Sequence, residues 1–379
     1  MDDETLYDAA IIGGGLAGLA LSIQLAKKGY KTILFEKEQY PFHKVCGEYI
    51  SMESWNFIES LGLPLSSFDL PIIKKLIVTS PNGNKLTTNL DLGGFGISRY
   101  LLDNELKKIA IASNVIIQDK CKVDDVVYKK ELFFIYTTNG VFTSKVCCGC
   151  FGKRSKLDIK WKRPFITSRN SKLNNYIGVK YHIKTNLPAD TIALHNFEHG
   201  YCGVSKIEED KYCLCYLTNA YNLKRNNNSI LEMETNILYQ NKHLKELFTT
   251  CEKLFETPVT ISQISFSAKE QVYNHILLMG DAAGMITPLC GNGMSMALHS
   301  SKIAEGYIDQ FLQGKINRKQ LEQNYTAKWQ KIFSLRVKEG MKIQTLFGKK
   351  WLTNLFIRTM KLMPGVTKKI ISHTHGEPF

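Results

Sequence analysis

The 379-residue chain is long enough to build two domains with cores of their own, and its apolar fraction of 44% is ordinary for a soluble globular protein. Ten cysteines are scattered without a matching C-x-x-C or histidine pair, so no metal site is expected, and no uninterrupted apolar run reaches the roughly 20 residues that span a bilayer. With an acidic start that shows no secretory pattern, the composition points to a reducing, cytoplasmic protein, and its net charge of +14 raises the question of where the cations gather.

Tyr7 to Ile12 reads as a buried strand, followed directly by Gly13-Gly14-Gly15-Leu16-Ala17-Gly18. Gly13 permits a tight turn, Gly15 lets the backbone approach a pyrophosphate, and Gly18 lets the next helix pack against the strand. That helix, about Ala17 to Lys28, offers the unpaired N–H groups of its first turn, from Leu16 and Ala17 onward, and the positive end of its dipole. Gly29 stops it, Lys31 to Phe35 forms a second strand, and Glu36 ends that strand where a carboxylate accepts hydrogen bonds from ribose hydroxyls. Such a carboxylate repels a 2′-phosphate, so FAD or NAD fits better than NADP. Lys37, beside it, joins the expected cofactor-binding set.

Further along, Ile72 to Val78 and Lys85 to Leu90 flank Pro81-Asn82-Gly83-Asn84, a hairpin signal. Strand-like runs around 176–183, 191–197, 201–204 and 212–217 predict a second sheet. Ile276 to Met279 is an apolar strand that leads into Gly280-Asp281-Ala282-Ala283-Gly284, then Thr287-Pro288-Leu289-Cys290-Gly291-Asn292-Gly293 and a helix from about Met294 to Phe311. From Ala327 to Ile370 there are eleven Lys or Arg and one acid, Glu339, among aromatic and aliphatic residues at three- and four-residue intervals. This tail is expected to be a helical cap with a solvated basic face, or a surface for an anionic membrane or an acidic carrier protein; nucleic acid is not the expected partner.

The two glycine motifs together resemble the superfamily of class A flavin monooxygenases, geranylgeranyl reductases, flavin halogenases and lycopene cyclases, with the p-hydroxybenzoate hydroxylase-like fold. The resemblance implies an α/β architecture: a discontinuous Rossmann-like FAD-binding domain (1–70, 90–155 and 265–315), a β-sheet substrate domain (71–89 and 156–264) and a basic helical C-terminal region (316–379). It implies bound FAD, with NAD(P)H as a transient reductant. Gly280 and Asp281 would hold the ribitol chain, and Pro288, Gly291, Asn292 and Gly293 would lie beside the isoalloxazine ring. His43-Lys44-Val45-Cys46-Gly47-Glu48 is similar to the Lys-x-Cys-Gly-Glu segment of the geranylgeranyl-reductase branch, which places Lys44, Cys46 and Gly47 at the flavin. Ser98-Arg99 resembles the helix start whose arginine reaches the FAD phosphates.

Two departures mark this chain. Phe151 stands where the family usually has an aspartate, in Gly149-Cys150-Phe151-Gly152-Lys153-Arg154-Ser155. In Gly200-Tyr201-Cys202-Gly203-Val204-Ser205, Gly203 replaces the tryptophan of the reductase pattern and only Tyr201 is kept, which argues against halogenation and, less strongly, against polyprenyl reduction. Tyr201 is a proton donor, a pocket wall or, as a strand aromatic more often is, plain packing; Cys46 and Cys290 are a redox-responsive pair or two buried cysteines acting as small apolar residues. The leading expectation is NAD(P)H-dependent hydroxylation of an apolar or aromatic, lipid- or polyketide-like metabolite. The alternatives are reduction of a lipid or isoprenoid double bond, and a non-redox cyclisation on reduced flavin.

Overall fold

A computed structural model describes residues 5–167, 174–287, 291–347, 350–363, 365 and 376–379. The chain opens with β1 (Leu6–Ile12), α1 (Leu16–Lys27) and β2 (Thr32–Phe35), then β3 (Tyr49–Ser51) and the hairpin β4 (Ile72–Thr79) and β5 (Lys85–Gly96). Next come α2 (Arg99–Ala112), β6 (Ile116–Gln118), β7 (Val123–Lys129), β8 (Leu132–Thr137), β9 (Gly140–Gly149) and α3 (Lys156–Lys160). The middle holds β10 (Asn174–Lys184), β11 (Thr191–Phe197), β12 (Gly200–Lys206), β13 (Tyr212–Asn219), α4 (Ile230–Asn236) and α5 (Lys242–Thr250). It closes with β14 (Glu252–Lys253), β15 (Val259–Ser265), β16 (Val272–Tyr273), β17 (Ile276–Leu278), α6 (Gly293–Leu312), α7 (Arg318–Phe347) and α8 (Lys350–Leu362).

The first sheet runs β16-β17-β9-β1-β2-β6, and the pairings β17–β9, β9–β1, β1–β2 and β2–β6 are all parallel. Parallel strands put their carboxyl ends along one edge, where an open α/β sheet binds its ligand. The loops after β1, β2, β9 and β17 therefore meet there, although the first and last are about 260 residues apart in sequence. Only β9 separates β1 from β17. Gly13 has φ +105°, and a Cβ on it would lie 2.5 Å from the Cys150 carbonyl oxygen, so the turn out of β1 is closed to other residues. A Cβ on Gly18 would lie 2.0 Å from the Gly13 oxygen, which sets how closely α1 packs on the turn. Helices α1 and α6 cover the sheet together, with Gly280 between Ala17 and Ala297. Cys147, Cys148 and Cys150 are buried along this sheet, and burial pushes their thiols up.

The second sheet runs β14-β10-β13-β12-β11-β4-β5-β3, with β15 on β10. The hairpin pairs as expected, but β5 continues to Gly96 and β3 also belongs to this sheet, so its strands reach into stretches 1–70 and 90–155 assigned to the cofactor domain. Alternation sorts the side chains of the sheet into two faces. Val179, Tyr181, Ile183, Leu214 and Tyr216 pack under α4 and α5 with Met233, Leu244 and Phe248. On the opposite face Lys180 faces Cys215, His182 faces Cys213, and Tyr201 faces Leu217. Gly178 on that face abuts Val45 of the cofactor domain.

The C-terminal region caps the cofactor domain. Leu321, Tyr325, Trp329 and Phe333 of α7 are buried in the main core, and Tyr325 donates to the Leu278 carbonyl at 2.6 Å. Helix α8 lies against the second sheet's inner face through Ile357. Among the described residues no helix is long and apolar enough to cross a membrane.

Gly18→Ala should cost roughly 3 kcal/mol, because the added methyl is aimed at backbone that cannot yield. Denaturant unfolding of the two proteins measures it.

Candidate flavin and substrate site

The first turn of α1 begins at Gly15, which carries no side-chain cap, so the leading N–H groups of the helix have no intrahelical partner. A Cβ on Gly15 would sit 3.6 Å from Arg99 Nη2 and 3.9 Å from Lys44 Nζ, and both cations therefore face the bare backbone. Asp103 holds them: Arg99 donates to it twice at 2.8 Å and Lys44 once at 2.9 Å. Burial alone would raise the Asp103 pKa, but the two cations hold it below its usual range. Two fixed cations and a helix N-terminus converging on a glycine make a cradle for a diphosphate. Ser98 sets α2 in register by accepting from the Leu101 N–H.

Glu36 stands at the end of β2 and accepts from the Gly14 N–H at 2.9 Å and the Glu38 N–H at 3.1 Å. Tyr40 closes the same corner by donating to the Gly14 carbonyl at 2.5 Å. The Lys37 side chain is exposed and pairs with Glu38. Gly47 has open space around it. Gly291 has φ +65° and lies against the Tyr49 ring, and Asn292 is buried before Gly293, the first residue of α6. Pro288 and Cys290 lie outside the described residues.

Glu48 is fully buried at the seam between the two sheets, with φ +55°. Lys180 donates to one carboxylate oxygen at 2.5 Å and the Arg99 N–H to the same oxygen at 2.7 Å, while His182 Nε2 lies 2.6 Å from the other. Burial would raise its pKa; Lys180 and His182 bring it down to about 2. Cys213 lies beside this group, and its thiol donates to the Cys46 carbonyl at 3.2 Å. Glu48, His182 and Cys213 are close enough to resemble a metal-ligand set. The carboxylate is nevertheless claimed by a lysine and a backbone N–H, and burial holds the Cys213 thiol protonated, so the chemistry is that of an ion-pair node.

The loop after β17 is fixed from behind. Three successive carbonyls each accept from a buried side chain: Asp281 from Lys269 at 2.7 Å, Ala282 from Arg163 at 3.0 Å and Ala283 from Gln271 at 3.0 Å. Arg163 also pairs with Asp158 at 2.8 Å and Glu270 at 3.0 Å. Lys269 meets no carboxylate within ion-pair distance among the described residues, and burial lowers its pKa to about 8. Phe151 lies near Trp161 at the foot of this region, where the family's aspartate would stand. A cavity of about 210 Å³ opens beside it, lined by Lys153, Arg154, Asp158, Phe165 and Ser265 among others.

Tyr201 is buried on the inner face of the second sheet, in an apolar cluster with Leu217, Ile264, Met285 and Ile357. Cys46 is partly buried against the same face. Sequence reading missed Lys180, His182, Lys269 and Arg163. Lys180 and His182 did carry a signal, as polar residues two apart in an apolar strand. Lys269 and Arg163 sit in loops with no pattern around them.

Comparison with known proteins agrees with this geometry. The FAD binding domain model matches residues 8–44. Conditioned medium factor receptor 1 of Dictyostelium discoideum is 25% identical over 80% of the chain, which spans only 63% of that protein's length. Digeranylgeranylglycerophospholipid reductase of Methanococcus vannielii is 21% identical over 91% of this chain and 88% of its own. The structure of the flavin-dependent brominase Bmp2 superposes with a TM-score of 0.79 at 20% identity, covering 98% of this chain and 93% of that one. Fold and cradle define a dinucleotide-binding flavoprotein. The chain carries an FAD-binding domain and shares its fold with a flavin-dependent brominase.

The residues present fit FAD: Arg99, Lys44 and the α1 amides would take its diphosphate, Glu36 its ribose, and the Gly280–Asp281 turn its ribitol chain. Bound there, FAD supplies the redox chemistry, and the protein's part is to orient it and exclude water.

Glu48→Gln should destabilise the fold by roughly 3–5 kcal/mol, since it strands Lys180 in the interior, and Lys180→Met added to it should restore part of the loss. Because the folded pKa of Glu48 is depressed, its contribution is present above the ordinary value near 4.5 and is lost as pH falls toward about 2. Urea unfolding of the four-member cycle tests both points. Lys269→Met should weaken FAD binding by about tenfold, the value of one charge-assisted hydrogen bond. In the unsubstituted protein, the lysine's positive charge is present below about pH 8 and lost above it, so FAD affinity should fall through that window. A flat profile in the variant, read by flavin fluorescence titration, is the expected contrast.

Proposed function

We propose that the protein reduces a carbon–carbon double bond in a lipid or isoprenoid chain, using FAD and electrons from NAD(P)H. The apolar inner wall carries this reading. Tyr201, Leu217, Ile264, Phe266, Met285 and Ile357 are buried together there, flanked by Leu194 and Phe356, and suit a long hydrocarbon. Support also comes from the segment Lys44–Glu48, which resembles the reductase branch and which Glu48 pins to that wall's sheet. A third support is the likeness to an archaeal lipid reductase over most of both chains.

The reaction balances as one hydride and one proton added across the double bond, while NAD(P)H is oxidised to NAD(P)⁺. FAD held by Arg99, Lys44 and Glu36 would supply the hydride-transfer chemistry. Tyr201, from the wall, and Cys46, from the pinned segment, are the side chains we assign to proton delivery. Lys153 and Arg154, on the rim of the cavity beside the flavin loop, are suited to an anionic reductant. Where the reductase pattern has a tryptophan, a Cβ on Gly203 would meet only Leu194 and the Cys215 carbonyl.

Mixing the NAD(P)H-reduced protein with a polyprenyl lipid under argon tests this. Flavin should reoxidise without oxygen, and the lipid should gain 2 mass units per bond reduced. Reoxidation only after oxygen is admitted, with a gain of 16 units, would overturn the reading in favour of the hydroxylation that the sequence alone puts first. A product of unchanged mass and no consumption of NAD(P)H would point to cyclisation.

A further inference from the structure

Helix α8 has two unlike faces. Thr353, Ile357 and Met360 are buried, and Ile357 meets Tyr201, Leu217 and Met285 in the apolar wall. On the other side Trp351, Leu355 and Leu362 are 66%, 55% and 82% exposed. Their spacing of four and seven residues places them on one stripe of the helix. Met363, 47% exposed, extends the apolar surface past the helix end. Arg358 and Lys361 are exposed on the same helix, and Lys350 starts it. Helix α7 adds exposed Lys331, Leu335, Lys338 and Lys342. No acid lies between Glu339 and Ile370.

Isolated exposed apolar residues are ordinary, but a tryptophan and two leucines aligned on one cationic helix are not. Trp and Leu on one stripe, with long Lys and Arg side chains beside them, match the boundary between lipid headgroups and acyl chains. An acidic protein would satisfy the cations and leave the apolar stripe unexplained; an anionic lipid surface satisfies both. We propose that the outer face of α8 docks the protein on an anionic membrane surface. The helix would then have the bilayer on one side and the apolar wall on the other. Docking itself is independent of the reaction; delivery of a lipid chain from bilayer to wall rests on the reductase reading.

Co-sedimentation of the full FAD-loaded chain with sucrose-filled vesicles tests docking without any turnover. Vesicles of phosphatidylcholine with roughly a third phosphatidylserine are compared with phosphatidylcholine alone. Trp351→Ser/Leu355→Ser/Leu362→Ser removes the stripe, and Arg358→Glu/Lys361→Glu reverses the charge. All positions are exposed, and flavin absorbance with unfolding midpoint verifies folding. We expect pelleting with the anionic vesicles only, reduced by about tenfold or more in each variant and weakened by salt. Wild type left in the supernatant, or variants that pellet as well as it does, would overturn the proposal. So would capture by an acidic carrier protein with no vesicle binding. Pelleting in a protein that reduces no double bond would leave docking standing and sink only the reductase reading.

Discussion

A buried carboxylate joins the two sheets. Glu48 sits in the chain between the cofactor domain's second strand and the second sheet's β3, in a left-handed conformation that costs a non-glycine residue on the order of 1 kcal/mol. Its compensation is a set of donors from both sides: the Arg99 amide at the start of α2, and Lys180 and His182 from β10. Such a node contributes little net stability over a well-packed apolar one, but it is strict about geometry. A shift of β10 by one residue would turn Lys180 and His182 away and leave three buried polar groups unpaired. The register of β10 is therefore tied to the same residue run that carries Lys44 and Cys46.

Positive charge surrounds the cofactor position at graded depths. Arg99 and Lys44 share one carboxylate, so the local sum there remains positive before any anion arrives. Arg163 is shared between Asp158 and Glu270, while Lys269 contacts carbonyls and the Phe165 ring and feels Asp158, Asp281 and Glu270 only from beyond ion-pair distance. A cation buried without a carboxylate is expensive, which is why its pKa falls. Placing it behind the Asp281 carbonyl orients that peptide and would add positive potential for a cofactor held by the Gly280–Asp281 turn. The solvated lysines on the surface contribute far less, because water and salt screen them.

Much of the cofactor side was legible in the sequence, because its constraints are local. Gly13 is required by its own turn, with φ +105°, Gly18 by the Gly13 oxygen on that same turn, and Glu36 reaches Gly14 across one pair of strands. The meeting of the Gly13 and Gly280 loops follows from parallel topology, and the bounds of β1, α1, β2, β17 and α6 shift by only one residue from the sequence reading. What the sequence withheld depends on contacts between distant segments. Lys269 and Arg163 reach the flavin loop from loops of no regular pattern. Lys37 illustrates the converse: adjacency to Glu36 suggested a role, but the side chain leaves the strand toward solvent. The boundary drawn at residue 90 failed for a similar reason, since β5 keeps its pairing through Gly96 and the break in sequence pattern lies inside one strand.

The C-terminal helices show why charge alone misleads as a guide to partners. The basic, aromatic-bearing tail admitted two readings, a helical cap or a binding surface, and the fold assigns parts of it to different tasks. Trp329 and Phe333 are core residues, with the Trp329 ring packed where a side chain on Gly284 would otherwise stand. Arg336 lies 3.7 Å from buried Glu53, so it is spent inside the fold. Trp351 and Leu355 have no such employment, and they belong to the helix whose other side closes the apolar wall. An amphipathic helix normally needs one apolar face, toward the core. A second apolar stripe on its solvent side carries a cost in solubility that the core does not require.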